Sequence, residues 1–204
     1  MAGPSTTETV LWIVVTVAVY AAVALAVVDG PVRRRAGWDW LAGVCAVPVA
    51  AVIVLSVLKV PAPPHPAFGL TLGVGLALLA TVGGSPMVSL VLRLAARSVR
   101  LGVHGGILVR GSGSDAAADS DPGATAPERE ILRGGTTIGH LERFALVGSV
   151  LVGQPAAVAV IVAIKGLGRF SELENAAARE RFIIGTLASL TWAGACAAAI
   201  VLSR

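Results

Sequence analysis

Long runs of apolar residues dominate this chain and restrict what it can fold into. The first runs from Val10 to Val28 and the second from Leu41 to Val60. At 1.5 Å per residue, a helix of about 20 residues crosses the roughly 30 Å hydrocarbon core of a bilayer. Only 14% of the residues are charged, against about 25% in a soluble domain, and the mean hydropathy is +0.82. We therefore expect an integral membrane protein built from helices.

The third apolar run is interrupted. It begins near Phe68 and stays apolar to Val82, where segment 83–86 (Gly-Gly-Ser-Pro) follows. About 15 residues are short for a crossing. We favour continuation as one kinked helix to Leu92, which supplies the missing length. The alternative is a short span, a break and a separate surface helix.

The fourth run, Ala145 to Ile164, carries Gly153-Gln154-Pro155 near its middle, and the fifth extends from Phe182 to Leu202. About 20 residues without a charge are typical of a crossing helix, so we predict that the fourth run spans the membrane with a kink at the proline. The alternative is a re-entrant hairpin with its tip at 153–155, whose backbone must then be buried in protein or line a cavity.

One contact distinguishes these two arrangements. Glu142 and Lys165 are about 23 positions apart, which is about 34 Å on a continuous helix and places them at opposite faces of the membrane. In the hairpin they lie on one face and can pair.

The distribution of basic residues favours an orientation. The predicted fold is all-α, with about five transmembrane helices, the N-terminus outside and the C-terminus inside. This topology leaves five of the 16 basic residues outside: Lys59, Lys165, Arg169, Arg179 and Arg181. The ratio of 11 inside to five outside agrees with the excess of Lys and Arg in cytoplasmic loops. The hairpin leaves only Lys59 and Arg204 outside, a ratio of 14 to two that fits the rule better.

The chain divides into three parts by composition. Residues 1–110 form a three-span membrane region with a basic juxtamembrane helix, 111–130 a flexible cytoplasmic linker, and 131–204 a two-span module. From Gly111 to Pro127 the residues are almost exclusively Gly, Ser, Ala, Asp, Thr and Pro, a composition too polar to fold alone. Between the fourth and fifth apolar runs, segment 171–174 (Ser-Glu-Leu-Glu) fits a capping box, which predicts that the last helix starts outside the membrane.

The basic helix carries Arg93, Arg97 and Arg100 at spacings of four and three. Such a stripe can lie against the anionic inner leaflet, which makes membrane lipids its predicted partner. Alternatively, the three arginines are simply the inner flanking charges of the third span.

Polar residues of the C-terminal module form a recognisable pattern, G-x-x-I-G-x-L-E-R, then K-x-x-x-R-F, then E-x-x-x-x-G-T-L-x-S. Over about Gly134 to Ser189 it resembles the C-terminal module of an uncharacterised family of small bacterial inner-membrane proteins. The resemblance implies a membrane location and a shared module, with no known activity. The candidate structural and functional polar cluster, which includes the mid-run glutamine, consists of Glu142, Arg143, Gln154, Lys165, Arg169, Glu180 and Thr186.

Several classes of function lose support. No ionisable residue is expected near the centre of a span, where coupled transporters place such groups, and the motifs of metalloproteases, α/β-hydrolases and P-loop proteins are absent. We expect no catalytic activity, no cofactor, no metal and no nucleic-acid partner. Gly69-x-x-x-Gly73 is a small-residue pattern suited to close helix packing, within the chain more than between copies.

Two functions remain for a multi-pass protein of the bacterial cytoplasmic (inner) membrane. The first is a non-enzymatic scaffold or accessory subunit that meets a protein partner, forms a homo-oligomer or binds lipid. The alternative is a small oligomeric transporter or channel whose path is lined by Gln154, Thr186 and Thr191.

Overall fold

Every regular element that the structure describes is a helix. The computed structural model describes residues 5–28, 39–63, 65–101, 135–167 and 176–204. The helices in these ranges are α1 (Thr6–Val28), α2 (Asp39–Val57), α3 (Pro66–Leu101), α4 (Gly135–Leu151), α5 (Ala157–Leu167) and α6 (Ala176–Leu202). The predicted all-α class is confirmed. The predicted linker and Arg169 lie outside the described residues.

Four of these helices have the length and composition of membrane spans. Their most apolar segments are Thr6–Val28, Trp40–Val57, Pro66–Ala95 and Arg179–Leu202. Only 33% to 39% of each segment is buried inside the bundle, so most of its apolar side chains lie on the outer surface. Helices that are apolar on all sides, yet mostly uncovered by protein, are typical of a bilayer environment.

Two of the long helices, α1 and α3, begin with specific N-terminal caps. Before α1, the Glu8 carboxylate accepts a hydrogen bond from the Ser5 backbone N–H at 2.6 Å, and the Ser5 hydroxyl accepts one from the Glu8 N–H at 3.3 Å. This reciprocal pair is a capping box. Before α3, the His65 Nδ1 accepts from the Ala67 N–H at 3.3 Å, and Pro66 occupies the first helical position, where its missing N–H costs nothing. The capping box predicted at 171–174 lies outside the described residues.

The third apolar run forms one helix, as predicted. α3 is continuous from Pro66 to Leu101 and contains segment 83–86 in its interior. Arg93 therefore lies on the same helix as the third span, and the backbone of Arg97 and Arg100 continues it. A separate surface helix is not formed.

The fourth apolar run differs from its prediction. Instead of one helix over 145–164, α4 ends at Leu151 and α5 begins at Ala157. The prediction of a continuous span is wrong, because the chain turns back between these helices, and the hairpin alternative describes the structure. The fifth helix predicted to cross is thus replaced by two short ones.

The helix directions place both ends of the described chain at the same end of the bundle. Trp12 packs edge-on against Phe68, and the Tyr20 hydroxyl donates to the Thr71 carbonyl, so α1 and α3 run parallel. Gly73 lies near Ile200 and Gly83 near Trp192, so α3 and α6 run antiparallel. The predicted outside N-terminus and inside C-terminus need an odd number of crossings, whereas the structure describes four helices of span length.

The hydrophobic core lies between the long helices. Its buried members come from α1, α2, α3, α4 and α6, with Trp12, Leu76 and Cys196 among those most completely enclosed. α5 contributes none. The predicted N-terminal region and C-terminal module therefore share one core, and α5 lies on its outer surface.

Candidate functional site

The hairpin tip follows from its local sequence. The Gln154 N–H donates to the Ser149 carbonyl at 2.8 Å, and the Gly153 N–H donates to the Val150 carbonyl at 3.1 Å. These two bonds form a Schellman motif, in which the residue after the helix adopts a left-handed conformation. Gly153 has a φ of 76°, which glycine adopts without the strain that a side chain would add. Pro155 then favours the start of a new helix, so the sequence ends one helix and begins another.

Glu142 and Lys165 meet across the hairpin. The Lys165 ammonium donates to the Glu142 carboxylate, and the two side chains are only 20% and 14% exposed, respectively. This is the contact that distinguishes the hairpin from a continuous span. The pair joins α4 to α5 near the open end of the hairpin, while the Schellman motif closes its tip.

Arg143 holds the hairpin against the long helices. Its Nε donates to the Thr81 carbonyl of α3 at 2.8 Å, and its Nη1 donates to the Ser189 hydroxyl of α6 at 3.3 Å. The side chain is 5% exposed. One guanidinium therefore links three helices, which its rigid fork of five donors permits and a lysine ammonium on a flexible stem does not reproduce.

Two glycines make room for the guanidinium. A Cβ added at Gly84 would lie 2.5 Å from both Cδ and Nε of Arg143, a separation that the atoms cannot tolerate. A Cβ at Gly139, one turn before Arg143 on the same helix, would lie 3.3 Å from Nη1. We call the recess bounded by Gly84, Gly139, Thr81 and Ser189 the arginine seat.

The arginine seat lies at half the height of the bundle. Thr81 is about 15 residues, or about 22 Å, from each end of the span Pro66–Ala95. Ser189 is similarly near the middle of Arg179–Leu202. The four span-length helices carry their charged residues only near their ends, as expected. The hairpin, however, brings three charged side chains of α4 and α5 to the level of the span centres. We call Glu142, Arg143 and Lys165 the charged layer.

The remaining predicted polar residues do not join the charged layer. Gln154 is exposed at the hairpin tip and Glu180 is exposed near the start of α6. Thr186 lies on α6 one turn before Ser189, and its hydroxyl is buried without a hydrogen-bond partner among the described residues. Arg143 and Ser189 lie at the same level of the bundle. Gln154 is about 11 residues from that level toward the hairpin tip, and Thr186 is about three residues from it in the opposite direction. Gln154 and Thr186 are therefore separated by about 21 Å along the bundle.

Thr191, the third residue of the predicted path, faces a different side. It lines a groove of about 550 Å³ between α2, α3 and α6, whose other lining residues are apolar. The path predicted from Gln154, Thr186 and Thr191 is therefore not assembled in this structure.

The comparisons with known proteins give no further constraint. No protein-family model, curated protein or solved structure matches the chain. The candidate site is thus described by its geometry alone.

Sequence reasoning missed part of the arginine seat. Ser189 was within the motif of the C-terminal module but was not among the nominated polar positions, and the carbonyl of Thr81 belongs to the N-terminal region. The sequence did contain one local signal of the seat. Gly139 precedes Arg143 by four positions, and side chains on a helix point toward its N-terminus. The Arg143 side chain therefore passes over Gly139, which has no side chain to obstruct it.

The chemistry available at this site is electrostatic. The charged layer supplies hydrogen-bond donors and one carboxylate, and among the described residues no group of three or more His, Cys, Asp and Glu side chains is placed to hold a metal ion. Cys45 and Cys196 are both buried in the core. The arrangement can bind helices together or present charge at half the depth of a membrane.

Proposed function

We propose that this protein is a non-enzymatic scaffold or accessory subunit of the bacterial cytoplasmic (inner) membrane, which binds a second membrane-embedded protein through the α4–α5 hairpin. The second protein is another kind of chain or a second copy of this one. The proposal assigns a structural role to the charged layer and no catalytic role.

The accompanying topology has four crossings. Basic residues support it, because placing both termini outside leaves only Lys59 and Arg204 on that side and 14 basic residues on the cytoplasmic side. The hairpin then enters from the cytoplasmic side and returns to it. The arginines of the basic helix lie at the same side, where anionic headgroups are abundant.

The observation that carries the proposal is the incomplete coverage of α5. This helix packs on α4 and buries none of its own residues. Val160, Ile164 and Leu167 form a stripe on it and are 58%, 65% and 77% exposed. Residues 152–156 at the tip are exposed as well.

Lipid can cover the apolar stripe on α5, but it cannot solvate the two features beside the stripe, which are the irregular backbone of the tip and the Glu142–Lys165 ion pair. Irregular backbone at membrane depth is stable where it is buried in protein or lines a water-filled cavity, and the Glu142–Lys165 pair is partly exposed close to mid-height. A protein that covers α5 and the tip shields both features from hydrocarbon, which supports a docking function.

A bulky substitution on α5 tests the proposal. Ile164→Trp remains compatible with lipid but obstructs a closely packed interface. We expect wild-type protein, crosslinked in intact membranes and purified, to recover a defined partner or dimer, and Ile164→Trp to lose it at an unchanged expression level. Val14→Trp is the matched control, because Val14 is 57% exposed on α1, a different helix. Absence of any partner with the wild type, or equal loss in both variants, would overturn the proposal.

The charged layer favours a second candidate, a small oligomeric transporter or channel. Ionisable groups inside a membrane are costly and commonly mark ion or substrate pathways. If the protein conducts, reconstituted vesicles release ions or small solutes, and Glu142→Gln changes the flux. Vesicles that show no flux above protein-free controls would remove this candidate.

A further inference from the structure

A second cavity opens at the end of the bundle where both ends of the described chain are found. Its volume is about 710 Å³. It is bounded by the first turns of α3, the last turns of α6, the segment before α3, and Leu151 at the end of α4. We call it the terminal cavity.

The hairpin is the cause of the terminal cavity. α4 stops at Leu151, whereas α3 and α6 continue past it toward Pro66 and Arg204. The space between these two helices is therefore left unfilled where a continuous fourth span would have passed.

The glycines of the Gly69-x-x-x-Gly73 pattern contribute to this space. A Cβ added at Gly69 would meet nothing within 4 Å, and one at Gly73 would lie 3.7 Å from Ile200. Gly73 fits the predicted close packing between helices. Gly69 does not, because it lines the terminal cavity and contacts no other helix at its Cβ position.

The terminal cavity has a polar mouth and an apolar floor. His65, Ser203 and Arg204 surround the mouth, while Ala77 and Leu151 lie deepest. Because His65 Nδ1 accepts from the Ala67 N–H, its Nε2 is the nitrogen left to donate a hydrogen bond toward a ligand. The mouth thus offers two donors to an anion, whereas the side chains of Ala77 and Leu151 offer water no polar partner.

The depth of the terminal cavity matches one leaflet. From Pro66 to Ala77, α3 advances about 11 residues, or about 17 Å, close to half of the roughly 30 Å hydrocarbon core. We propose that the terminal cavity binds one anionic phospholipid from this leaflet, with its phosphate at Arg204 and His65 and one acyl chain extending to Leu151. This site is distinct from the basic helix, which lies at the opposite end of the bundle.

Photocrosslinking in defined vesicles tests this site. The full chain is reconstituted in phosphatidylcholine vesicles that contain a trace of phosphatidylglycerol with a photoreactive acyl chain, and labelled peptides are mapped by mass spectrometry. We expect the label on the segment 69–77 and at Leu151. Gly69→Leu places a side chain in the cavity, since a Cβ at position 69 meets nothing within 4 Å, and should abolish this labelling. Gly43→Leu is the matched control, since a Cβ at Gly43 also meets nothing within 4 Å, and it should label as the wild type does.

The headgroup is tested separately. Removing the guanidinium charge and the imidazole in His65→Gln/Arg204→Gln should lower the preference for photoreactive phosphatidylglycerol over photoreactive phosphatidylcholine about tenfold, the effect of losing a charge-assisted hydrogen bond. Arg181→Gln, at the other end of α6, should leave the preference unchanged. Labelling of Gly69→Leu equal to that of Gly43→Leu, with both variants folded by thermal unfolding, would overturn the site. Equal labelling of the wild type by both lipids would overturn the assignment of an anionic headgroup.

Discussion

Arg143 reaches the groups that it binds because position 84 carries no side chain. Its Cδ and Nε occupy the volume that a Cβ at Gly84 would need, and the same side chain is hydrogen-bonded to α3 and α6. A buried charge that loses such partners is strongly unfavourable. The energetic effect of any residue at position 84 therefore depends on whether Arg143 is present.

This dependence can be measured by thermal unfolding in detergent. Gly84→Ala should destabilise the protein by about 1 to 3 kcal/mol, because inserting a methyl group into an occupied site displaces its neighbour. In an Arg143→Ala background the site is empty, and the same substitution should have a much smaller effect. Gly43→Ala is the control, with no neighbour in reach. If Gly84→Ala costs the same in both backgrounds, the two side chains do not compete for this space.

The ion pair across the hairpin gives a second prediction. Glu142→Gln should lower the melting temperature in detergent, since it leaves the Lys165 ammonium in a site that is only 20% exposed without its carboxylate. We expect a loss of about 1 to 3 kcal/mol. The exchanged pair Glu142→Lys/Lys165→Glu should recover part of it. Unchanged melting in Glu142→Gln would mean that the pair does not stabilise the hairpin.

At the scale of helices, run length predicted α1, α2, α3 and α6, because a crossing helix must satisfy its own backbone hydrogen bonds over a fixed thickness. The same criterion failed at α4 and α5. There, Gly153 ends one helix in a left-handed conformation and Pro155 favours the start of the next. The same glycine-to-proline spacing occurs at Gly84 and Pro86, which lie inside the continuous helix α3. The spacing alone therefore does not predict a helix break.

The arginine seat could not be derived at this scale. It joins residues 81, 143 and 189, which lie on three helices and come together only through tertiary packing. The charge pairing of Glu142 with Lys165 was conditional on the topology, and it became certain only when the turn at 153–155 was located. Local sequence therefore determined the helices, and their packing determined the charged layer.

The left-handed turn gives the prediction at this scale. Gly153→Ala places a Cβ at a φ of 76° and should cost about 1 kcal/mol of stability. Gly148→Ala is the matched control on the same hairpin, because its Cβ would meet nothing within 4 Å and alanine favours a helix interior over glycine. We expect the melting temperature to fall in the first variant and to stay the same or rise in the second. The reverse order would contradict the Schellman turn.

For the whole molecule, the decisive property is the side of the membrane on which each segment lies. With Cys45 and Cys196 replaced by alanine, single cysteines at Ser5 and Ser203 should react from outside with a membrane-impermeant thiol reagent. Cysteines at Ser112 and Ser171 should react only after the membrane is opened, because the proposed hairpin returns the chain to the cytoplasmic side. If Ser171 reacts from outside and Ser203 does not, the membrane protein has five crossings.

The arginine seat also has a consequence for the order of assembly. Thr81 is synthesised with α3, long before Ser189, which is carried by α6. The guanidinium of Arg143 can therefore reach the Thr81 carbonyl before its second partner exists. The seat is complete only when α6 packs beside α3 and α4 and brings the Ser189 hydroxyl to it, so this contact is the last of the seat to form.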